Sequence, residues 1–391
     1  MLNVVLLGLV SFFSDISSEM VYPIIPLYLT GAFGATPALV GIIEGIAESL
    51  ASLLKVFSGY LTDRYHHKKP VAFVGYATGL LYKFALILAS SWVGILGARV
   101  IDRIGKGIRT APRDVMVSES ARAGSAGHAF GIHKALDMAG SAVGIFLAYL
   151  MLNRMNGGMD YHNLFWLSMI PAVLGLVMFF FIKEKKMEQP TRQREPFWKN
   201  MKQLNGQLKL YLLVAFLFTL GNSSNAFLLL RAKSVGFDDA TVILLYFLYN
   251  VTASLLAIPV GRRSDRVGRK RVLVAGYLTY TAVYAGFAFA NTKPLMIGLF
   301  ALYGLYTAMI AGVERAYISE IAPPNLKGTM LGMQSTLVGI ALLPASAIAG
   351  LLWNVFGAAV PFLFGALMSL LAAMLLIFFM QDQPKEAIPV A

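Results

Sequence analysis

Runs of about twenty apolar residues, each closed by a short polar segment, follow one another along almost the whole chain. A hydrocarbon layer of roughly 30 Å takes about 20 helical residues to cross, so the pattern predicts membrane-spanning helices. Twelve spans are expected, at roughly residues 3–30, 37–60, 70–90, 92–114, 129–151, 162–182, 209–230, 240–260, 272–291, 294–317, 329–352 and 357–380. The first run starts at residue 2 without a basic leader and holds Asp15 and Glu19, so it reads as a span rather than a cleaved signal peptide. Segment 183–208, KEKKMEQPTRQREPFWKNMKQLNGQL, is polar and contains two prolines. It divides the chain into an N-terminal six-helix bundle (1–182), a linker (183–208), a C-terminal six-helix bundle (209–380) and a short tail (381–391).

The two bundles are copies. GYLTDRYHHKKP at 59–70 returns as GRRSDRVGRKRV at 261–272, with Asp63 and Asp265 202 residues apart. SESARAGSAGHAFG at 118–131 returns as SEIAPPNLKGTMLG at 319–332, matching Glu119 with Glu320, Gly127 with Gly328 and Gly131 with Gly332 at an interval of 201. Two landmarks at nearly one offset indicate a tandem duplication of membrane bundles.

Composition agrees: 57% of residues are hydrophobic and 14% charged, against roughly 25% charged in soluble domains. The net charge of +13 raises the question of nucleic acid, but its distribution answers it. Arg64, Lys68, Lys69, Arg262, Arg263, Arg266, Arg269, Lys270 and Arg271 crowd two short turns, whereas the loops near 31–37 and 353–357 hold no basic residue. Basic short loops face the cytoplasm, which places both termini and the linker there, in a multi-pass protein of a cytoplasmic (inner) membrane. The expected partners are lipid and a small solute, not nucleic acid. There is no cysteine, which removes disulfides and thiolate chemistry.

The repeated turn G-x-x-x-D-R needs a small residue where helices meet, which suits Gly59 and Gly261. An Asp just past a span can face the positive end of a neighbouring helix. The pattern resembles motif A of the major facilitator superfamily, G-x-L-x-D-R-x-G-R-K. It is matched by Gly59, Leu61, Asp63, Arg64 and Lys68, and by Gly261, Asp265, Arg266, Gly268, Arg269 and Lys270, with His66 and Arg263 as departures. The resemblance covers essentially the whole chain. It implies an all-α membrane fold of two pseudosymmetric six-helix bundles around a cavity opened alternately to each side. It also implies a gating role for Gly59, Asp63, Arg64, Gly261, Asp265 and Arg266. RVIDRIGKGIRTAPRD at 99–114 is similar to motif B of the family, with either Arg99 or Arg103 at the matching position. Gly140 and Gly144 form a G-x-x-x-G on one face of the fifth span and partly resemble the motif of drug/proton antiporters, with Ile145 where that motif has proline. For the glycine pair alone, close helix packing is the simpler reading.

The N-terminal half carries ionisable residues at membrane depth, each costing roughly 2.5–3.5 kcal/mol if left unpaired. At 1.5 Å per residue, Asp15, Glu48, Lys83, Asp102 and Arg103 lie about 18–21 Å from the cytoplasmic ends of four spans. Glu19, Glu44 and Arg99 form a second layer about 24–26 Å in. Asp15/Glu19, Glu44/Glu48, Arg99/Arg103 and His133/Asp137 are all i,i+4 pairs, so each pair shares a helix face. Two readings stay open: a set of ion pairs that fixes helix register, or a proton-coupling cluster of Asp15, Glu19, Glu44, Glu48, Lys83, Arg99, Asp102, Arg103 and Asp137, led by Asp15, Glu48 and Arg103. The C-terminal half offers neutral groups instead. Asn222, Asn225, Tyr246 and Asn250 are the candidate substrate ligands, with Tyr249, Tyr303 and Tyr306 as possible lining.

No G-x-S-x-G, H-E-x-x-H or P-loop pattern occurs, so an enzyme or a self-powered pump is not expected. No metal site and no cofactor are expected either; His133 with Asp137 is the one ligand-like spacing. The resulting expectation is a monomeric secondary transporter, proton-coupled, exporting an organic or drug-like compound. Transport of a carboxylate-rich metabolite or siderophore, motivated by Arg99, Arg103 and Lys83, is the alternative, and metal export a further one.

Overall fold

The computed structural model describes residues 2–65, 68–120, 126–154, 161–184, 204, 206–310, 312–322 and 327–380, with the side chains at 55–65, 126–128, 154, 319 and 327–329 outside that description. Every regular element among these is helical. In lipid a backbone must satisfy its own polar groups, which leaves helices as the solution for such apolar runs. The first half contains α1 (Leu2–Val21), a short 3-10 turn (Tyr22–Ile24), α2 (Ile25–Phe33), α3 (Pro37–Tyr65), α4 (Lys68–Leu88), α5 (Trp92–Ser120), α6 (Ala126–Arg154) and α7 (Tyr161–Phe180). The second contains α8 (Gly206–Gly221), α9 (Ala226–Ser234), α10 (Asp239–Val267), α11 (Arg269–Phe289), α12 (Lys293–Ile310), α13 (Val313–Ile321), α14 (Lys327–Phe356) and α15 (Val360–Phe378). The exterior is apolar, with Trp166, Ile170, Leu255, Ile258 and Phe289 among many exposed large side chains. That is the surface of a chain solvated by lipid.

The duplication is visible element by element. The 29-residue α3 and α10 start 202 positions apart, and the 21-residue α4 and α11 start 201 apart. The turn between them is therefore one residue shorter in the second copy, where Gly268 turns the chain at φ 103°, a value glycine adopts without a Cβ penalty. Side chains repeat too: Lys68 at the start of α4 pairs with Glu119, and Arg269 at the start of α11 pairs with Glu320 at 3.2 Å.

The spans differ from expectation in three respects. Most run several residues further than their apolar stretches, α5 to Ser120 and α6 from Ala126 to Arg154. The first and seventh are each broken near mid-length, at 22–24 and 222–225. Among the described residues eleven helical segments are long and apolar enough to cross a membrane; α5 is missing from that set because it carries Arg99, Asp102, Arg103, Lys106 and Arg109.

The halves meet along α3 with α14 and α6 with α10. Toward the start of α3 the fit is close. A Cβ on Gly41 or Gly45 would lie 2.2 Å or 2.9 Å from the Ser346 or Leu343 carbonyl oxygen, and one on Gly350 would lie 2.6 Å from that of Pro37. The Ala38 N–H donates to Asn354 Oδ1 (3.3 Å) and the Tyr161 hydroxyl to Asp239 (3.4 Å) at the same end. This end, remote from the basic turns, is closed. Arg231 sits there as well: its guanidinium donates to the carbonyls of Phe287 (2.9 Å), Ala288 (3.2 Å) and Ala290 (2.9 Å). It thereby satisfies the acceptors a helix end leaves open.

Candidate functional site

Between the halves lies a cavity of about 390 Å³, with one wall from each bundle. The two broken helices build it. Unwound backbone at membrane depth is tolerated where it lines a cavity, and a pair of interrupted spans at matching positions marks a binding site in duplicated transporters. The first break contributes Tyr22; the second contributes Asn222, Ser223, Ser224 and Asn225. Some of the freed polar groups find partners across elements. The Ser224 N–H donates to Ser346 Oγ (3.2 Å), and the Ser224 hydroxyl donates to Glu44 Oε2 (3.4 Å) from the opposite half.

The N-terminal wall is ionic: Asp15, Glu19, Glu48, Arg99, Asp102, Arg103, Lys106 and Arg109 all line it. Its α5 residues repeat every three or four positions, so one helix face supplies four cations and a carboxylate. Arg99 Nη2 donates to both Glu44 oxygens (2.7 and 2.6 Å), and each side chain of that pair is 1% exposed. Arg103 Nη2 meets Glu48 Oε1 at 3.0 Å, and Asp102 sits between the two arginines at 3.5 and 4.0 Å. Both guanidinium groups also lie over the Tyr22 ring, 5.1 and 5.5 Å from its centre. Lys106 is exposed and lines the same cavity, so the cavity reaches solvent toward the end that carries the basic turns.

Asp15 does not join this arginine ladder. Its carboxyl group hydrogen-bonds Asp137 of α6, and a hydrogen bond between two carboxyl groups requires a proton on one of them. The glycines of α6 make this meeting possible: a Cβ on Gly140 would lie 2.3 Å from the Phe12 carbonyl oxygen, and one on Gly144 2.5 Å from that of Ile16. One turn away, the same two helices are joined by Ser11 Oγ and His133 Nε2 at 2.9 Å, with the Tyr76 hydroxyl 3.2 Å from Ser11. Lys134 pairs with Asp137 Oδ2.

The C-terminal wall is neutral. Tyr303 donates to Asn225 Oδ1 (2.9 Å), Asn225 Nδ2 donates to Tyr249 (3.1 Å) and Asn222 Nδ2 donates to Tyr306 (3.2 Å). Tyr280 donates to the Gly221 carbonyl (2.9 Å) behind them. Amides and phenols thus hold one another in place while presenting faces to the cavity.

Of the residues singled out in the sequence, Asp15, Glu19, Glu48, Arg99, Asp102, Arg103, Asn222, Asn225 and Tyr246 line the cavity together. Glu44 lies behind the wall, buried under Arg99. Lys83 is also behind it, 1% exposed, with its ammonium over the Tyr82 ring at 5.1 Å. Asn250 is not among the lining residues; its amide donates to the Tyr246 carbonyl of its own helix (2.8 Å). In the gating motif, Asp265 pairs with Arg269 at 3.2 Å on the second copy, while the side chains at Asp63 and Arg64 fall outside the described residues. Sequence reasoning missed Tyr22, Tyr82, Ser223 and Ser224. Pro23 lies within the first break and Pro26 just after it, a usable signal; the second break has no proline, only the polar run NSSN after Gly221.

Two bundles with a common ancestor, interrupted first spans and a polar cavity between them define a membrane transporter of the two-lobed type. The chain belongs to the Major Facilitator Superfamily, whose family model matches residues 7–230 and 211–390. It is 37% identical over 382 residues to the uncharacterized MFS-type transporter MJ1317 of Methanocaldococcus jannaschii, covering 96% of this chain and 94% of that one. A multi-drug resistance efflux pump PmrA homolog of Lactococcus lactis subsp. lactis is 31% identical over 188 residues, 46% of each chain. Among solved structures, a crystal structure of the nucleoside transporter NupG shares the fold with a TM-score of 0.83 at 12% identity, covering 96% of this chain and 99% of that one.

Proposed function

We propose that this transporter is proton-coupled and exports a small polar organic solute, working as a monomer in the cytoplasmic membrane with the basic turns inside. The observation behind this reading is the division of the cavity. A charged wall on one bundle holds a carboxyl pair, Asp15 with Asp137, that takes and gives up a proton. A wall of amides and phenols on the other bundle hydrogen-bonds an uncharged part of the solute. Rocking of the halves changes the distance between the walls, so proton and solute occupancy are felt by the same movement. Export is favoured by the named function of the efflux-pump relative. A cavity of about 390 Å³, near the small end of ordinary ligand pockets, favours a compact polar solute over a bulky apolar drug. In this scheme Asp265 and Arg269 hold the second basic turn in shape during rocking, and Asp63 and Arg64 serve the first.

The test is reconstitution in proteoliposomes with a pH-sensitive dye inside. Saturable, solute-dependent proton movement is expected, and Asp15→Asn should abolish it while leaving the protein folded. If protons move equally well in Asp15→Asn, the carboxyl pair is not the carrier; if no solute moves them at all, proton coupling fails.

A second reading has its own observation. Arg99, Arg103, Lys106 and Arg109 all face the cavity, which suits a carboxylate-rich solute. Anion-induced thermal stabilisation lost selectively in Arg103→Gln would favour it over the first. Metal export has no such observation behind it.

A further inference from the structure

The carboxylates around the cavity are nearly all committed to partners within the protein. Glu44 holds Arg99, Glu48 holds Arg103, Asp102 bridges both arginines, and Asp15 and Asp137 hold each other. Glu19 is different. Among the described residues it makes no hydrogen bond and no ion pair, although it lines the cavity. Lys106 and Arg103 of its own bundle line the cavity too, but Arg103 is taken by Glu48 at 3.0 Å. From the other bundle, Tyr246 and Tyr249 line the same cavity.

Those two rings form a corner. Their centres are 5.0 Å apart and their planes cross at 78°, and Tyr22 closes a third side 6.1 Å from Tyr246. The Tyr22 ring already carries Arg99 and Arg103; among the described residues no protein cation lies over Tyr246 or Tyr249. A carboxylate that lines a cavity at membrane depth with no ion-pair partner of its own is costly, and aromatic faces attract cations through their quadrupole. Together they make a receptor for a positively charged nitrogen. A bare metal ion would need several oxygen ligands converging at short range, whereas this corner offers one carboxylate and ring faces.

We propose that the transported solute carries an ammonium group, and that Glu19 with Tyr246 and Tyr249 receives it. The inference rests on the transport reading above and deepens it. Because Glu19 belongs to the N-terminal bundle and the tyrosines to the other, an ammonium seated there ties the two lobes together. The rest of the solute then lies along Asn222 and Asn225, within reach of Lys106 for any acidic group it bears.

The experiment is thermal unfolding of the purified full chain with choline and tetramethylammonium as probes, and acetate and glucose as charge and size controls. Both ammonium probes should raise the wild-type midpoint saturably. Glu19→Gln should weaken that response by at least about tenfold, as loss of a charge-assisted contact implies, and should leave the acetate response unchanged. Glu19→Asp keeps the charge and should keep the ammonium response, which separates recognition from folding. An absent ammonium response in wild type, or an equal one in Glu19→Gln, overturns the inference. In proteoliposomes, wild-type proton movement driven by a solute without an amine in Glu19→Gln would overturn it while leaving proton-coupled transport standing. Failure of every solute to move protons, with choline still stabilising the protein, would overturn only the transport reading.

Discussion

Gly140→Ala is the sharpest perturbation available, because it adds one methyl group at the contact that brings Asp137 to Asp15. The new Cβ would sit 2.3 Å from the Phe12 carbonyl oxygen and 2.9 Å from the Phe12 Cα and carbonyl carbon. These are backbone atoms, which cannot swing aside as a side-chain tip does. Restoring ordinary contact requires α1 and α6 to separate locally by about 1 Å, and strain of this kind costs about 1–3 kcal/mol. Asp137 and Asp15 lie within a turn of the contact, so the same movement breaks their hydrogen bond, adding about 1–3 kcal/mol for buried polar groups left short of partners. Alanine returns roughly 1 kcal/mol through its better helix propensity. The expected net loss is about 3 kcal/mol, measured as unfolding free energy of the purified protein. Gly298→Ala, on an exposed face with nothing within 4 Å of the added Cβ, is the control and should be neutral or stabilising. A double-mutant cycle with Asp137→Asn should be non-additive, since both changes remove one hydrogen bond. If Gly140→Ala behaves like Gly298→Ala, or the cycle is additive, the glycine does not act through the carboxyl pair.

Three further outcomes are expected. Arg99→Met alone should cost about 3–5 kcal/mol because it strands the buried Glu44 charge, while Arg99→Met with Glu44→Met should recover most of the loss; equal losses in the single and double variants would contradict the pairing. Arg231→Ala should lower unfolding stability by about 3 kcal/mol, since it leaves three carbonyls at the end of α11 without donors, with Arg231→Lys intermediate; a change below about 0.5 kcal/mol means the cap is redundant. Asp238 caps α10: the Thr241 hydroxyl (2.6 Å) and N–H (3.1 Å) donate to its carboxylate and hold that group below the ordinary carboxylate range. Its contribution is therefore complete above the unfolded-state value and fades as pH falls through the lower folded-state value. Asp238→Ala should cost about 1 kcal/mol at neutral pH and progressively less in acid, and a pH-independent gap would count against the cap.

Much of this architecture could be read from residue order because a membrane leaves few options. Apolar run length located the helices, and the i,i+4 spacing of Glu44/Glu48 against Arg99/Arg103 anticipated two layers of ion pairs that the structure joins as Glu44–Arg99 and Glu48–Arg103. What resisted reading depends on three-dimensional neighbours. Asp15 stood at the depth of Arg103, but packing through Gly140 gives it Asp137 instead. Asn250 has the chemistry of a ligand, yet its amide is satisfied by its own helix. The break at 222–225 escaped notice because apolar residues continue on both sides, and only the partner atoms on Ser346 and Glu44 stabilise the unwound backbone. Helix ends were extended beyond their apolar stretches by polar caps and pairs such as Lys68 with Glu119.

The charge carried by α5 bears on how the protein is made as well as how it works. Each ionised residue resists entry into the bilayer by roughly 2.5–3.5 kcal/mol, and Arg99, Asp102 and Arg103 lie within five residues of one another. Such a segment has little tendency to leave the translocon alone. The acids that neutralise it, Glu44 and Glu48, sit on a helix synthesised earlier, so α3 must wait at the exit site and accompany α5 into lipid. Loss of either acid would then surface first as misinserted, rapidly degraded protein, before any defect in transport became measurable.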